Sequence, residues 1–251
     1  MFYYLDYLLA DPIAVLTMLL LALPGRLLAI SAHEFAHAWV ADRCGDPTAR
    51  MLGRLTLNPM KHLDLLGTLM MLVLGFGWAK PVPINPNNYR DYRRDDLRVS
   101  LAGIVMNLTL FALGFLALST MAFLALRPLG PGFSGYLRAA ANLSPDFISE
   151  MLGALPGYLY QMLVYFTITN LSLAVFNLLP VPPLDGYHVL NDLLLKRDLF
   201  ASQRAARTAM GVMLVLMFTG LLGEGLSYVV NAVLDGAGWL AMRLFSLLGL
   251  I

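Results

Sequence analysis

Charged side chains are scarce in this sequence. Lys, Arg, Asp and Glu account for 13% of its 251 residues, about half the share usual in a soluble domain. No stretch is both long and polar, so a separate soluble domain, a PDZ-like module included, is not expected. The single cysteine, Cys44, excludes an internal disulfide and any cysteine-type zinc site. Four histidines, His33, His37, His62 and His188, limit a metal site to a small one. The net charge is +1 and no basic patch is interleaved with aromatic residues, which tells against nucleic acid as a partner. No Lys or Arg precedes Arg26, so the first residues lack the positive region of a cleavable signal peptide.

Apolar residues fill the chain instead: 59% of it is hydrophobic and the mean hydropathy is +0.69. Apolar runs cover residues 13–42, 97–126, 157–179, 209–222 and 226–248. Several of them approach or exceed the roughly 20 residues that a helix needs to cross a bilayer. A further run, 65–76, is too short to cross. Arg43, Arg50, Arg54 and Lys61 precede it, and Lys80, Arg90, Arg93, Arg94 and Arg98 follow it. If basic residues mark the cytoplasmic side, both of its flanks lie there and the run dips in and returns. With that topology every Lys and Arg except Arg26, Arg127, Arg138 and Arg243 lies inside. Residues 50–58 (RMLGRLTLN) alternate apolar and polar, which predicts a short strand or hairpin. Residues 75–89 are rich in Gly, Pro and Asn, and read either as an extended edge for an unwound substrate or as a surface loop.

The expected fold is an all-α polytopic membrane protein. It has about five transmembrane helices, a re-entrant apolar segment and short membrane-associated β-hairpins near the active site. Residues 1–251 form one membrane-embedded domain, with its core at 13–195 and additional C-terminal transmembrane helices within 208–250.

Within the first apolar run stands His33-Glu34-Phe35-Ala36-His37. Residues four apart share a helix face, so His33 and His37 can hold one metal ion, with Glu34 beside them as the carboxylate that takes a proton from water. Ionisable groups inside a membrane segment are costly and mark a site or a cavity. Arg26 lies two turns before His33 on the same face. It either snorkels to the outer surface or partners the site. Asn107, in the run 97–126, is either a site-facing polar group or packing glue between helices.

A second constellation ends the run 157–179. Pro180, Pro182 and Pro183 strip backbone donors and break the helix, and Leu184-Asp185-Gly186 follows at once, with Asn177 one turn before the break. An acid on broken backbone at membrane depth is a third ligand candidate. His33, His37 and Asp185, with one position left open, make the ordinary open catalytic zinc set. The charge topology brings both constellations to the cytoplasmic half.

HEFAHAWVAD at 33–42, GDPTAR and GRLTLNPMKHLDLLGT within 45–68, GWAKPVPINP at 77–86 and NLLPVPPLDG at 177–186 together resemble the site-2 protease family of intramembrane zinc metalloproteases. The likeness spans most of residues 13–195 and is nearest the minimal prokaryotic branch without PDZ or CBS modules. It implies one Zn2+ per chain held by His33, His37 and Asp185, Glu34 as general base, and Asn177 as the group that holds substrate or steadies the oxyanion. It implies cleavage of peptide bonds in or near transmembrane segments of protein substrates, in the lipid bilayer of a prokaryotic cytoplasmic membrane, with the site toward the cytoplasm. The family's Ala-Gly-Pro turn appears here as Ala102-Gly103-Ile104. His62 and His188 match no catalytic position. The oligomeric state is not legible.

Two other readings compete. A membrane metal transporter or metal-binding protein would use the same ligands, but transporters spread ionisable groups along a path in repeated halves, and here they gather at one point. Gly132-Phe133-Ser134-Gly135 reads like a rhomboid serine motif, yet the charge topology puts Ser134 outside and His188 inside.

Overall fold

A computed structural model describes residues 10–74, 79–126, 151–196 and 202–249. Helix α1 (Pro12–Cys44) starts where the Asp11 side chain accepts the Ala14 amide at 2.9 Å. Pro12 fills the first helical position, where an N–H would have no partner anyway. The helix runs 33 residues, and Pro24 does not break it. Neighbouring helices can support a proline inside a membrane helix, and here α1 is pressed close: a Cβ on Gly25 would come within 3.0 Å of Phe166. The helix stops at Gly45, whose φ of 113° suits glycine and whose N–H caps the Ala41 and Asp42 carbonyls.

A short turn, α2 (Thr48–Met51), and the ten-residue α3 (Leu65–Leu74) follow. At 1.5 Å per residue, α3 is about 15 Å long, half of what a bilayer core requires. Two long helices come next, α4 (Tyr92–Leu126, 35 residues) and α5 (Ala154–Asn177, 24 residues). Beyond the proline elbow lie the five-residue α6 (Asp185–Val189) and a π-helical turn (Leu190–Leu195). The chain then forms α7 (Gln203–Phe218) and α8 (Leu221–Leu247).

Among the described residues three helices, α1, α4 and α5, are long and apolar enough to cross a membrane. The expected count of five is corrected: α7 and α8 pass that test only as a pair, bent by 78° at the break between them, which gives at most four. The 16 residues of α7 reach about 24 Å, and Gly220 turns the chain with a φ of 85°.

The expected β-hairpins are also corrected. Among the described residues there is one isolated bridge, Leu63 to Ala79, and no strand. The alternation at 50–58 was misleading because it does not sort by burial: Met51, Leu52 and Leu57 face outward, while Leu55 packs partly against Ala38, Ala49 and Val82. Met51 is 80% exposed and Leu52 62%, whereas Arg54 is buried at 8%. Gly53, at φ 64°, turns Arg54 inward.

The main core joins α4, α5 and α8. Phe111, Phe115, Leu118 and Phe123 of α4 pack with Tyr160, Val164 and Leu171 of α5 and with Val230, Leu234 and Phe245 of α8. Large apolar side chains on the outer faces, such as Leu113, Leu116 and Leu240, are exposed, as a bilayer-facing surface requires. This packing holds α1 and α4 side by side, with the end of α5 beside them, and the site forms there.

Candidate metal centre

His33 and His37 occupy successive turns of α1 and both are buried. Their Nε2 atoms lie 3.0 Å apart. Asp185 opens α6, and its Oδ2 lies 3.3 Å from each of those nitrogens. One ligand atom from each of the three residues falls within 4.8 Å of the others.

The backbone after α5 delivers Asp185. Val181 N–H bonds Leu179 O at 2.9 Å, and Leu184 N–H bonds Val181 O at 2.9 Å, which folds the elbow back on the helix end. Gly186 permits that return, because a Cβ there would overlap the Leu178 carbonyl. Gly186 is therefore a packing requirement beside the candidate ligand Asp185.

The outer nitrogens of both histidines are engaged. His33 Nδ1 pairs with Asn107 Oδ1 at 2.6 Å, and His37 Nδ1 with the Val99 carbonyl at 2.7 Å. Both acceptors fix Nδ1 as the protonated nitrogen and leave Nε2 with a lone pair facing the centre. The Asn107 amide donates to Asn170 Oδ1 at 2.8 Å and to Ala29 O at 3.3 Å, which sets its orientation. Between Val99 and Asn107 stands Gly103, and a Cβ there would come within 2.5 Å of His33 Cε1 and His37 Nε2. One stripe of α4 thus backs the whole site. Asp185 Oδ2 is buried without a hydrogen-bond donor. An orphaned carboxylate oxygen between two imidazole lone pairs is a fit for a cation, and nitrogen with carboxylate oxygen is a donor set that zinc accepts.

Glu34 sits beside the histidines, and its Oε2 accepts the Val82 amide at 2.7 Å. Val82 therefore lies against the site, and within the same stretch Pro86–Asn88 forms a 3-10 turn; residues 75–78 lie outside the described residues. Arg54 Nη2 donates to Lys80 O at 2.7 Å and Pro81 O at 3.2 Å, and Asp46 accepts the Asn85 amide at 2.7 Å and Asn88 Nδ2 at 2.8 Å. Sequence reasoning gave Arg54 only as a charge and Asp46 not at all. The one signal for Asp46 was its place in Gly45-Asp46-Pro47, at a helix end.

Asn177 is the last residue of α5, and its Nδ2 donates to Leu173 O at 3.0 Å. His62 is fully buried and bonds Thr56 O at 2.7 Å through Nε2, away from the metal trio. His188 pairs with Asp96 Oδ2 at 2.9 Å. With Arg93, Asp192, Tyr92, Tyr187 and Asn191 these two residues line a cavity of about 330 Å³. Ser134 lies outside the described residues.

Membrane-crossing helices closed around a buried His-His-carboxylate centre define an intramembrane metallopeptidase. The profile of peptidase family M50 matches residues 22–220. The chain belongs to that family, the site-2 proteases, which are zinc enzymes. It is 36% identical over 242 residues to YwhC of Bacillus subtilis, provisionally named a zinc metalloprotease, covering 96% of this chain and 97% of that one. It is 28% identical to Rip2 of Mycobacterium tuberculosis and 28% identical to Rip2 of Mycolicibacterium smegmatis, both named in the same way. These matches cover 91% and 90% of this chain and 78% of each relative. No solved structure matches the chain at a significant level. The protein is thus an integral membrane zinc metallopeptidase acting by intramembrane proteolysis, and the transporter reading is not favoured.

Proposed function

We propose that His33, His37 and Asp185 are the zinc ligands of this peptidase, one ion per chain, and that Glu34 is its general base. The observation that carries the reading is the convergence of three ligand atoms within 4.8 Å, with both outer imidazole nitrogens already bonded. When bound, zinc supplies a Lewis acid that polarises the scissile carbonyl and makes water more acidic.

The chain's own residues do the rest. Asn107 and the Val99 carbonyl hold the two imidazoles in one tautomer. Glu34 accepts a proton from the attacking water and passes it to the leaving amine. Asn177, released from Leu173 O, donates Nδ2 to the developing oxyanion.

The substrate is a transmembrane protein segment, opened at the scissile bond. The site faces the cytoplasmic side of a prokaryotic cell membrane, because Arg43, Arg50, Arg54 and Lys61 follow the end of α1 that carries it. Residues 1–251 act as one membrane-embedded protease domain with its core at 13–195.

The test is zinc content together with cleavage of a transmembrane reporter substrate in detergent, for wild type and E34Q. One zinc per chain in both, with cleavage in wild type alone, supports the reading. Absence of zinc from both would remove it.

A further inference from the structure

Residues 80–84 read Lys-Pro-Val-Pro-Ile. Proline has no backbone N–H, so between Lys80 and Ile84 the Val82 amide is the only backbone donor. That donor bonds Glu34 Oε2 at 2.7 Å. Its placement is over-determined. Pro81 and Pro83 each fix one φ angle. The buried Arg54 holds the carbonyls of Lys80 and Pro81. The Lys80 amide is tied to His62 O at 2.8 Å. The Val82 side chain is buried against Ala38, one turn along α1 from Glu34, and against Ala49. Among the described residues no group bonds the other carboxylate oxygen, Oε1.

We propose that the Val82 backbone amide is a positioning group for the Glu34 carboxylate. It pins Oε2 with a charge-assisted hydrogen bond and so turns Oε1 toward the reacting water. The Pro-Val-Pro sequence leaves one donor and spends it on the base. The inference rests on Glu34 being the general base, and it assigns residues 80–84 a role in the chemistry besides any contact with substrate. Misplacing a reacting group by about an ångström costs on the order of 100-fold in rate.

The experiment measures kcat, KM and zinc content on a transmembrane reporter substrate in detergent for wild type, V82P, V82A and E34Q. V82P deletes the donor, and the expected result is a kcat lower by about 100-fold with KM and zinc unchanged. V82A keeps the N–H and retains most of the kcat. If V82P fails to fold, the decisive variant is an ester at position 82, made with the hydroxy-acid analogue of valine, which replaces only the N–H. Wild-type kcat in V82P or in the ester, with E34Q inactive, overturns the inference and leaves the base intact. Cleavage by E34Q overturns the reading of Glu34 itself.

Discussion

Asn107 Oδ1 accepts the Nδ1 proton of His33 at 2.6 Å, across 74 residues of sequence. The asparagine is fully buried, and Asn170 and Ala29 engage its amide. It is therefore the support that fixes which His33 nitrogen faces the proposed metal. Loss of such a support typically weakens metal binding by about 10- to 100-fold. N107A should lower zinc affinity by that factor, measured as zinc retained against a graded chelator, while N107D, which keeps an acceptor, should lose less. Equal affinity in N107A and wild type would reduce Asn107 to packing.

Gly103 leaves no room for a side chain. A Cβ would come within 2.5 Å of two imidazole ring atoms and within 2.7 Å of His33 Nδ1, and α4 cannot retreat, because Val99 and Asn107 on either side bond the same rings. G103A should cost about 1–3 kcal/mol of stability through overpacking and should release zinc. Thermal melts in detergent with and without added zinc measure both effects. A variant that melts and binds like wild type would show that the rings can give way.

The three residues proposed as ligands could be singled out because each sits in a short local motif whose residue types serve the chemistry, and the structure brings them together. Their support was not legible. Asn107 was left between two roles because nothing in the sequence ties position 107 to position 33. The Val99 carbonyl has no side-chain signature at all. The β-hairpin expectation failed at 50–58 because periodicity reports alternation without saying which face is buried, and here the arginine goes inward. The C-terminal helices were counted singly because a 78° bend is invisible in composition.

The cavity between the start of α4 and α6, lined by Asp96, His188 and Asp192, predicts a pH effect. The Asp192 carboxyl is pushed up to about 6, first by burial and then by the facing Asp96 carboxylate, with His188 and Arg93 opposing. His188 is raised above its ordinary value, chiefly by its hydrogen bond to Asp96, against burial. Both groups hold a proton more tightly when folded. Their contribution is full below the ordinary pKa values of 3.8 and 6.5 and is lost as pH rises through the raised ones. The melting temperature should therefore fall as pH rises from 3.8 to about 6 through Asp192, and again above 6.5 through His188. D192N removes the raised carboxyl and one of the charges that raises His188, so its melting temperature should vary less with pH and exceed that of wild type at pH 8. An unchanged slope in D192N would assign the pH dependence to other groups.

Asn177 gives the sharpest contrast between motif and structure. The resemblance implies that it holds the substrate or steadies the oxyanion, yet its Nδ2 donates to Leu173 O at 3.0 Å, one turn back on its own helix. That carbonyl lies four residues back inside α5, upstream of the four that end the helix without intrahelical partners, so the bond is a local tie of the side chain to its own helix. The two uses are separable, because a neutral hydrogen bond to a carbonyl is worth about 1 kcal/mol, whereas losing one oxyanion donor costs about 100- to 1,000-fold in kcat. N177A should therefore lower kcat by at least about 100-fold, with KM, zinc content and melting temperature close to wild type. If instead the melting temperature drops by a few degrees while kcat holds, the Asn177 side chain serves only as a local tie within α5, and the oxyanion donor must be sought among the backbone amides of the proline elbow.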